Sequence, residues 1–163
     1  MSESADAAFF SPGDACWQHI VHRLSLAHKT ADLCVFTITD DRISRAIMDA
    51  HRRGVKLRII SDAEKAHDLG SDLQQFTDSG IAVKLLRVVS HTDPHAGGHM
   101  HHKFAIFDST NLVNGSYNWT RGAAEQNQEN IIDTDDRALV VRFQKEFDAI
   151  WDLWSKRSPT VRK

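Results

Sequence analysis

The stretch His101-His102-Lys103-Phe104-Ala105-Ile106-Phe107-Asp108, followed by Gly115-Ser116-Tyr117-Asn118, gathers side chains that can handle a phosphate. On a strand, alternate residues share a face, so His101 and Lys103 point together while Phe104 and Ile106 point the other way. Ser116 and Asn118 are also two apart and follow the next strand. If the two strands pair, an imidazole, an ammonium, a hydroxyl and an amide converge. An imidazole serves as nucleophile or proton carrier. Lysine and asparagine bind the non-bridging oxygens of a phosphate and stabilise charge that develops there. Asp108 has the opposite parity from His101, so it is expected to anchor structure and not to touch substrate. Glu129 opens the next apparent strand, where a carboxylate can hydrogen-bond the far nitrogen of a site imidazole and fix its tautomer. On spacing alone, a phosphate site and an ordinary polar turn are equal readings.

The elements that must position these residues alternate. Phe9-Phe10 ends a short strand, and Ser11-Pro12-Gly13-Asp14 is a turn with Asp14 as N-cap. Ile20, Val21, Leu24 and Ala27 recur at helical spacing over 15–28. The apolar run 31–39 reads as a strand buried on both faces. Asp40-Asp41 offers a cap to a helix bearing Ile43, Ala46, Ile47 and Ala50, closed by Gly54. Strands follow over 55–60 and 81–89, with a short helix over 70–79 between them. The expected fold class is α/β: a mixed, mainly parallel β-sheet flanked by helices. The rhythm breaks at the Gly-, Pro- and His-rich loop 90–100. Strands at Lys103–Phe107, Leu112–Asn114 and Asn130–Asp133 come next, then a helix over 136–155 with a core-facing stripe from Leu139 to Trp154.

The 163 residues include 20 Lys plus Arg against 22 Asp plus Glu, a net charge of −2, and 10 histidines. A chain of this length and ordinary composition is expected to form one domain over 1–163, with a core about 9–154 and a basic tail, 155–163. Near-neutral charge names no nucleic-acid or membrane partner, so any such contact must use a local patch. Two cysteines without a CxxC make no disulfide framework. The first residues lack the basic and apolar regions of a signal peptide, and no stretch reaches the ~20 apolar residues of a membrane span. The expectation is a cytoplasmic protein with no stable membrane association.

The pattern HxK-x4-D followed by Gly-Ser resembles the signature of the phospholipase D superfamily. His101, Lys103 and Asp108 fit its first part, and Gly115, Ser116 and Asn118 fit its second. The run through Ile106, with Asn118-Trp119-Thr120 and Glu129-Asn130, looks like the mitochondrial phospholipase D/Zucchini group and the small bacterial nucleases of the superfamily. Val35-Phe36-Thr37-Ile38, Arg52-Arg53-Gly54-Val55 and Gly70-Ser71 resemble that group too. The N-terminal membrane anchor of mitochondrial members and a Cys/His zinc-finger insertion have no counterpart here. Neither do the three histidines of loop 90–100.

The resemblance implies a phospholipase D-like fold and a phosphodiesterase that needs no metal or other cofactor. Catalysis in the family uses two histidines: one forms a phosphohistidine, the other protonates the leaving oxygen. The chain has one such motif, so the resemblance implies a homodimer in which His101 of one subunit attacks and His101 of the other is the acid. Lys103 and Asn118 would hold phosphate oxygens, Ser116 would support the site, Glu129 would orient an imidazole, and Asp108 would be structural. Nucleic acid, DNA or RNA, is the expected substrate, single strands favoured; phospholipid head groups such as those of cardiolipin are the alternative, and a nucleic-acid-binding module with weak activity is a third. Basic residues cluster at Arg52, Arg53, Lys56 and Arg58, which a solvated face explains equally well, and Tyr117 and Trp119 are candidates for base stacking, with a core position the other reading of Trp119. A metal site built from His91, His95, His99, His101 and His102 competes with these readings but lacks regular ligand spacing. His19, His22, His28, His51 and His67 read as surface residues.

Overall fold

The computed structural model describes residues 6–89 and 97–155, so loop histidines His91 and His95 and the basic tail beyond Ser155 lie outside the described residues. Among the described residues, nine strands and five α-helices run in the order β1 (Ala7–Ser11), α1 (Ala15–Leu26), β2 (Thr30–Val35), α2 (Asp41–Arg52), β3 (Lys56–Asp62), α3 (Leu73–Asp78), β4 (Ala82–Leu86), β5 (Val88–Val89), β6 (Gly97–Gly98), β7 (Lys103–Phe107), β8 (Asn111–Gly115), α4 (Arg121–Glu125), β9 (Glu129–Thr134) and α5 (Arg137–Ser155). Seven strands form one sheet, ordered β1-β9-β8-β7-β2-β3-β4, and β5 pairs with β6 across the segment 90–96.

The alternation of side chains along β7 divides the core. Ala105 and Phe107 join Leu33, Val113 and Ile131 beneath α1 and α2. Phe104 and Ile106 join Cys34, Ile60, Leu112, Phe147 and Ile150 beneath α5. A central strand with helices on both faces is apolar on both, as Phe104–Phe107 are, and Lys103 is buried with them at the strand's start. Helix α2 buries Ile43, Ile47 and Ala50 along one stripe, and Asp40 caps it by accepting from the Arg42 backbone N–H at 3.0 Å. Gly54 then takes a positive φ of 91°, a backbone geometry that ends a helix cheaply only with glycine. Asp136 caps α5 by accepting from the Leu139 N–H at 2.9 Å.

A mixed sheet flanked by helices matches the expected fold class, but the parallel share is smaller than expected. Only β2–β3 and β3–β4 are parallel; β1–β9, β9–β8, β8–β7 and β7–β2 are antiparallel. The short connection between β7 and β8 leaves no room for a crossover, so those strands must run antiparallel. The strand expected over 31–39 stops at Val35, and beyond it only Ile38 bridges, to Trp119. The strand expected over 81–89 divides into β4 and β5. Asp14 makes no capping bond and instead accepts from the Trp17 indole at 2.8 Å. Helix α4 has no counterpart in the sequence expectations.

His19 is not a surface residue. Its Nε2 lies 2.5 Å from Asp133 Oδ2, its ring stacks on Phe9 at 4.0 Å, and Arg23 hydrogen-bonds the same carboxylate. These contacts tie α1 to β9.

Candidate active site

Four strand ends meet at one edge of the sheet: the end of β2, the start of β7, the end of β8 and the start of β9. His101 and Lys103 enter from β7, Asn114, Gly115, Ser116 and Asn118 from β8 and the turn after it, and Glu129 from β9. Together with His102 they line an open cleft of about 460 Å³. Five of the six sequence candidates are thus brought together: His101, Lys103, Ser116, Asn118 and Glu129.

Asp108 is the exception. At the far end of β7 it adopts a positive φ of 51°. Its carboxylate accepts from the backbone N–H groups of His28 (3.0 Å), Lys29 (2.7 Å) and Thr30 (2.9 Å). Those bonds hold its carboxyl below the usual carboxylate range despite partial burial. Asp108 therefore fixes the entry to β2, as its parity on the strand requires.

Gly115 explains why glycine precedes Ser116. A β-carbon there would sit 2.1 Å from the Asn130 carbonyl oxygen and 2.8 Å from Ile131 Cα, so only glycine lets β8 and β9 close. Closure sets Ser116, whose N–H donates to the Asn130 carbonyl at 3.1 Å and whose hydroxyl accepts from the Asn130 N–H at 3.1 Å. Ser116 is in this way fixed to β9 beside Glu129. Glu129 Oε1 accepts from Asn127 Nδ2 at 3.2 Å. Asn118 Oδ1 is buried with no hydrogen-bond partner among the described residues.

His101 and Lys103 form the centre. Lys103 Nζ is 3.0 Å from His101 Nδ1 and donates to the His101 carbonyl at 2.6 Å. Burial, then the neighbouring ammonium, hold the His101 imidazole below its ordinary 6.5. Burial also lowers Lys103, while Glu129 opposes that shift. Phe36 is a neighbour that sequence reasoning assigned no role. Its ring centroid is 4.6 Å from that of His101 and 5.3 Å from Lys103 Nζ, and its N–H donates to the His102 carbonyl at 2.8 Å. Asn114 and His102 were also missed as lining residues. Phe36 stands beside the motif only because β2 pairs with β7, which no local pattern discloses.

Several sequence candidates are spent elsewhere. Tyr117 and Trp119 are buried in the core and cannot stack on a base. Arg58 is bidentate to Asp32 and also pairs with Asp148, Arg53 donates to the Leu24 carbonyl, and Arg52 pairs with Asp49. Among the described residues, the metal reading gathers only His99 with Asp62 and Glu64, their ligand atoms within 4.8 Å of one another; His101 and His102 stand outside that set.

A sheet of this order carrying this cleft defines a class, and comparison with known proteins agrees. Residues 20–151 match the family model described as "Cardiolipin synthase, PLD-like domain". The chain belongs to the phospholipase D-like family. It is 46% identical over 131 residues to a mitochondrial cardiolipin hydrolase of Chlamydomonas reinhardtii, covering 80% of this chain and 55% of that one. The human protein of the same name is 35% identical over 143 residues, covering 88% of this chain and 54% of that one. The Xenopus tropicalis one is 35% identical over 145 residues, covering 89% and 65%. This chain thus spans between 54 and 65% of the length of these relatives. NucT from Helicobacter pylori superposes with a TM-score of 0.84 at 25% identity over 92% of this chain and 97% of that one. Nuc from Salmonella typhimurium, a phospholipase D family member, shares the fold with a TM-score of 0.79 at 23% identity over 92% and 95%.

The relatives overturn one expectation. A cytoplasmic protein was expected, whereas the relatives named above are mitochondrial enzymes. No helix among the described residues is long and apolar enough to cross a membrane.

Proposed function

We propose that this chain is a phosphodiester hydrolase acting as a homodimer on cardiolipin-like phospholipid, with His101 attacking phosphorus. The observation that carries the reading is the convergence of His101, Lys103 and Asn118 with Ser116 and Glu129 on one cleft. Nε2 of one His101 bonds to phosphorus as the bond to the leaving oxygen breaks. His101 of the second protomer gives its proton to that oxygen. It then takes a proton from water, whose oxygen displaces the histidine. Lys103 and Asn118 Nδ2 donate to the non-bridging oxygens as charge builds there. The roles need no metal.

Contact with Lys103 supports one tautomer of the resting neutral ring. An ammonium has only donors, so His101 Nδ1 beside Lys103 accepts, and the neutral ring keeps its proton on Nε2. The copy that serves as acid is the imidazolium, which gives up its Nε2 proton to the leaving oxygen and becomes a neutral ring. The attacking copy needs the proton on Nδ1, held by a carboxylate, and Glu129 is the carboxylate that lines the cleft.

One chain supplies one His-x-Lys pair. The face proposed for the second copy is the outer side of β1 and β9. There Phe10 is 65% and Ile132 51% exposed, and the neighbouring Ser11 pairs in register with Glu129 of the cleft. Two such faces across a two-fold axis would bury these apolar side chains and bring two clefts together.

Phospholipid is favoured over nucleic acid for two reasons. The relatives are named for cardiolipin, and of the candidates for a nucleic acid Tyr117 and Trp119 are buried while Arg52 and Arg58 are ion-paired. A mitochondrial membrane surface is the matching location. Single-stranded nucleic acid is the second reading, favoured by the open, polar form of the cleft. Purified protein and His101→Ala, incubated in EDTA with cardiolipin vesicles, single-stranded DNA and RNA, test both. His101-dependent release from cardiolipin supports the first reading. Cleavage of nucleic acid alone replaces it with the second, and activity that vanishes in EDTA contradicts the mechanism.

A further inference from the structure

A second concavity adjoins the cleft on the α5 side of the sheet. It encloses about 340 Å³ and is lined by Leu86, Val88, Met100 and Ile150 together with His99, His101 and His102. Met100 and Ile150 are almost fully buried and belong to the core under α5, so this wall is fixed by packing. Met100 is held further by its N–H, which donates to Asp62 at 2.9 Å, and by the Cys34 thiol, 3.5 Å from its sulfur.

His101 and His102 line both spaces. A phosphodiester with its phosphorus at His101 therefore has phosphate donors on one side and an aliphatic wall on the other. Among its described lining residues the wall carries no Phe, Tyr or Trp, so its only flat aromatic surfaces are the histidine rings. Its volume lies near the low end of ligand pockets, ~300–1,000 Å³, which is too small for whole acyl chains.

The geometry points to a subsite for the glycerol ester and first methylenes of an acyl chain, formed by Leu86, Val88, Met100 and Ile150 beside His101. It rests on the proposed phosphodiesterase reading and deepens it by saying how a lipid is told from other diesters. The phosphate cleft alone accepts any diester; the aliphatic wall rewards only one that brings methylenes within reach. Removing about two methylenes from water is worth tenfold or more in affinity.

The test compares two soluble ligands by calorimetry: dihexanoyl phosphatidic acid, below its micelle concentration, and glycerol 3-phosphate, which has the same head without acyl chains. The wild-type chain is expected to bind the acylated ligand at least tenfold tighter. Leu86→Asn and Val88→Ser are expected to shrink that ratio several-fold. A wild-type ratio near one overturns the subsite whatever the variants do, and so does a ratio left intact in folded variants. Turnover is read separately with bis(p-nitrophenyl) phosphate, which has no acyl chain. If wild type hydrolyses neither it nor cardiolipin, the phosphodiesterase reading fails, while the binding ratio still decides the subsite.

Discussion

Lys103 Nζ stands 3.0 Å from His101 Nδ1 and is tied to the backbone of the same histidine by a 2.6 Å hydrogen bond. Burial and then this ammonium depress the imidazole's proton affinity, and a neutral ring that accepts from the ammonium at Nδ1 carries its proton on Nε2. Lys103→Met removes a positive neighbour, so the His101 pKa should rise. Titration of the His101 ring by NMR, in wild type and variant, reads the shift directly. Burial is the larger cause of the depression, so the variant should recover only part of the way towards 6.5. Hydrolysis should fall by roughly 10²–10³-fold, as for loss of one preorganised donor. An unmoved titration would show that Lys103 does not poise the ring.

The same depression fixes a pH dependence. One His101 must be neutral to attack and the other protonated to release the leaving group, so kcat/KM should be bell-shaped, with apparent values belonging to the pair. Because the ring is held below 6.5, the acid limb should fall below that value. An acid limb above 6.5 in wild type would contradict the geometry.

Phe10 on β1 and Ile132 on β9 lie exposed. Phe10→Asp places a charge on that face without touching the core. Light scattering should report a monomer, and activity should fall with the loss of dimer because the second histidine is gone. A fully active monomer would refute the shared site.

Gly115 has no room for a side chain against Asn130 and Ile131. Gly115→Ala should cost roughly 1–3 kcal/mol in urea denaturation, the usual range for overpacking. It should also depress turnover beyond any loss of folded protein, since Ser116 is bonded to Asn130 beside Glu129. Wild-type turnover and stability would show that the strands part without consequence.

Asp108 contributes by structure alone. Asp108→Ala leaves three backbone donors without their acceptor and should destabilise the fold by roughly 2–3 kcal/mol. In wild type the contribution is present above the unfolded carboxyl's pKa, ~3.9, and is lost as pH falls through the lower folded value. Denaturation of the two proteins at pH 7 and at decreasing pH should therefore converge in acid. A constant gap would place the effect elsewhere.

Chemistry that follows strand parity was legible in the sequence. The two-residue spacing of His101 and Lys103, and the odd offset of Asp108, put two side chains in the cleft and one at the far end of β7. Relations across long separations were not. His19 looked solvated because Asp133, its partner, is 114 residues away. Tyr117 and Trp119 looked available because polar residues surround them, yet the turn after β8 is drawn inward, with the Thr39 and Asp40 N–H groups donating to the Trp119 carbonyl. The apolar run 31–39 shows burial on both faces but not strand direction, because such burial demands apolar residues whichever way the neighbour runs; β2 has a parallel neighbour on one side and an antiparallel one on the other. Helix α4, only five residues long, is too short to show a helical period.

The central claim is that His101 becomes covalently bound to phosphorus. Excess protein mixed with a phosphate-labelled cardiolipin-type diester, quenched in base within one turnover and mapped by mass spectrometry, measures this directly. Label on the peptide that carries His101 in wild type, and none in His101→Ala, is the expected result. Hydrolysis by wild type with no label on protein, or hydrolysis by His101→Ala at the wild-type rate, would contradict it.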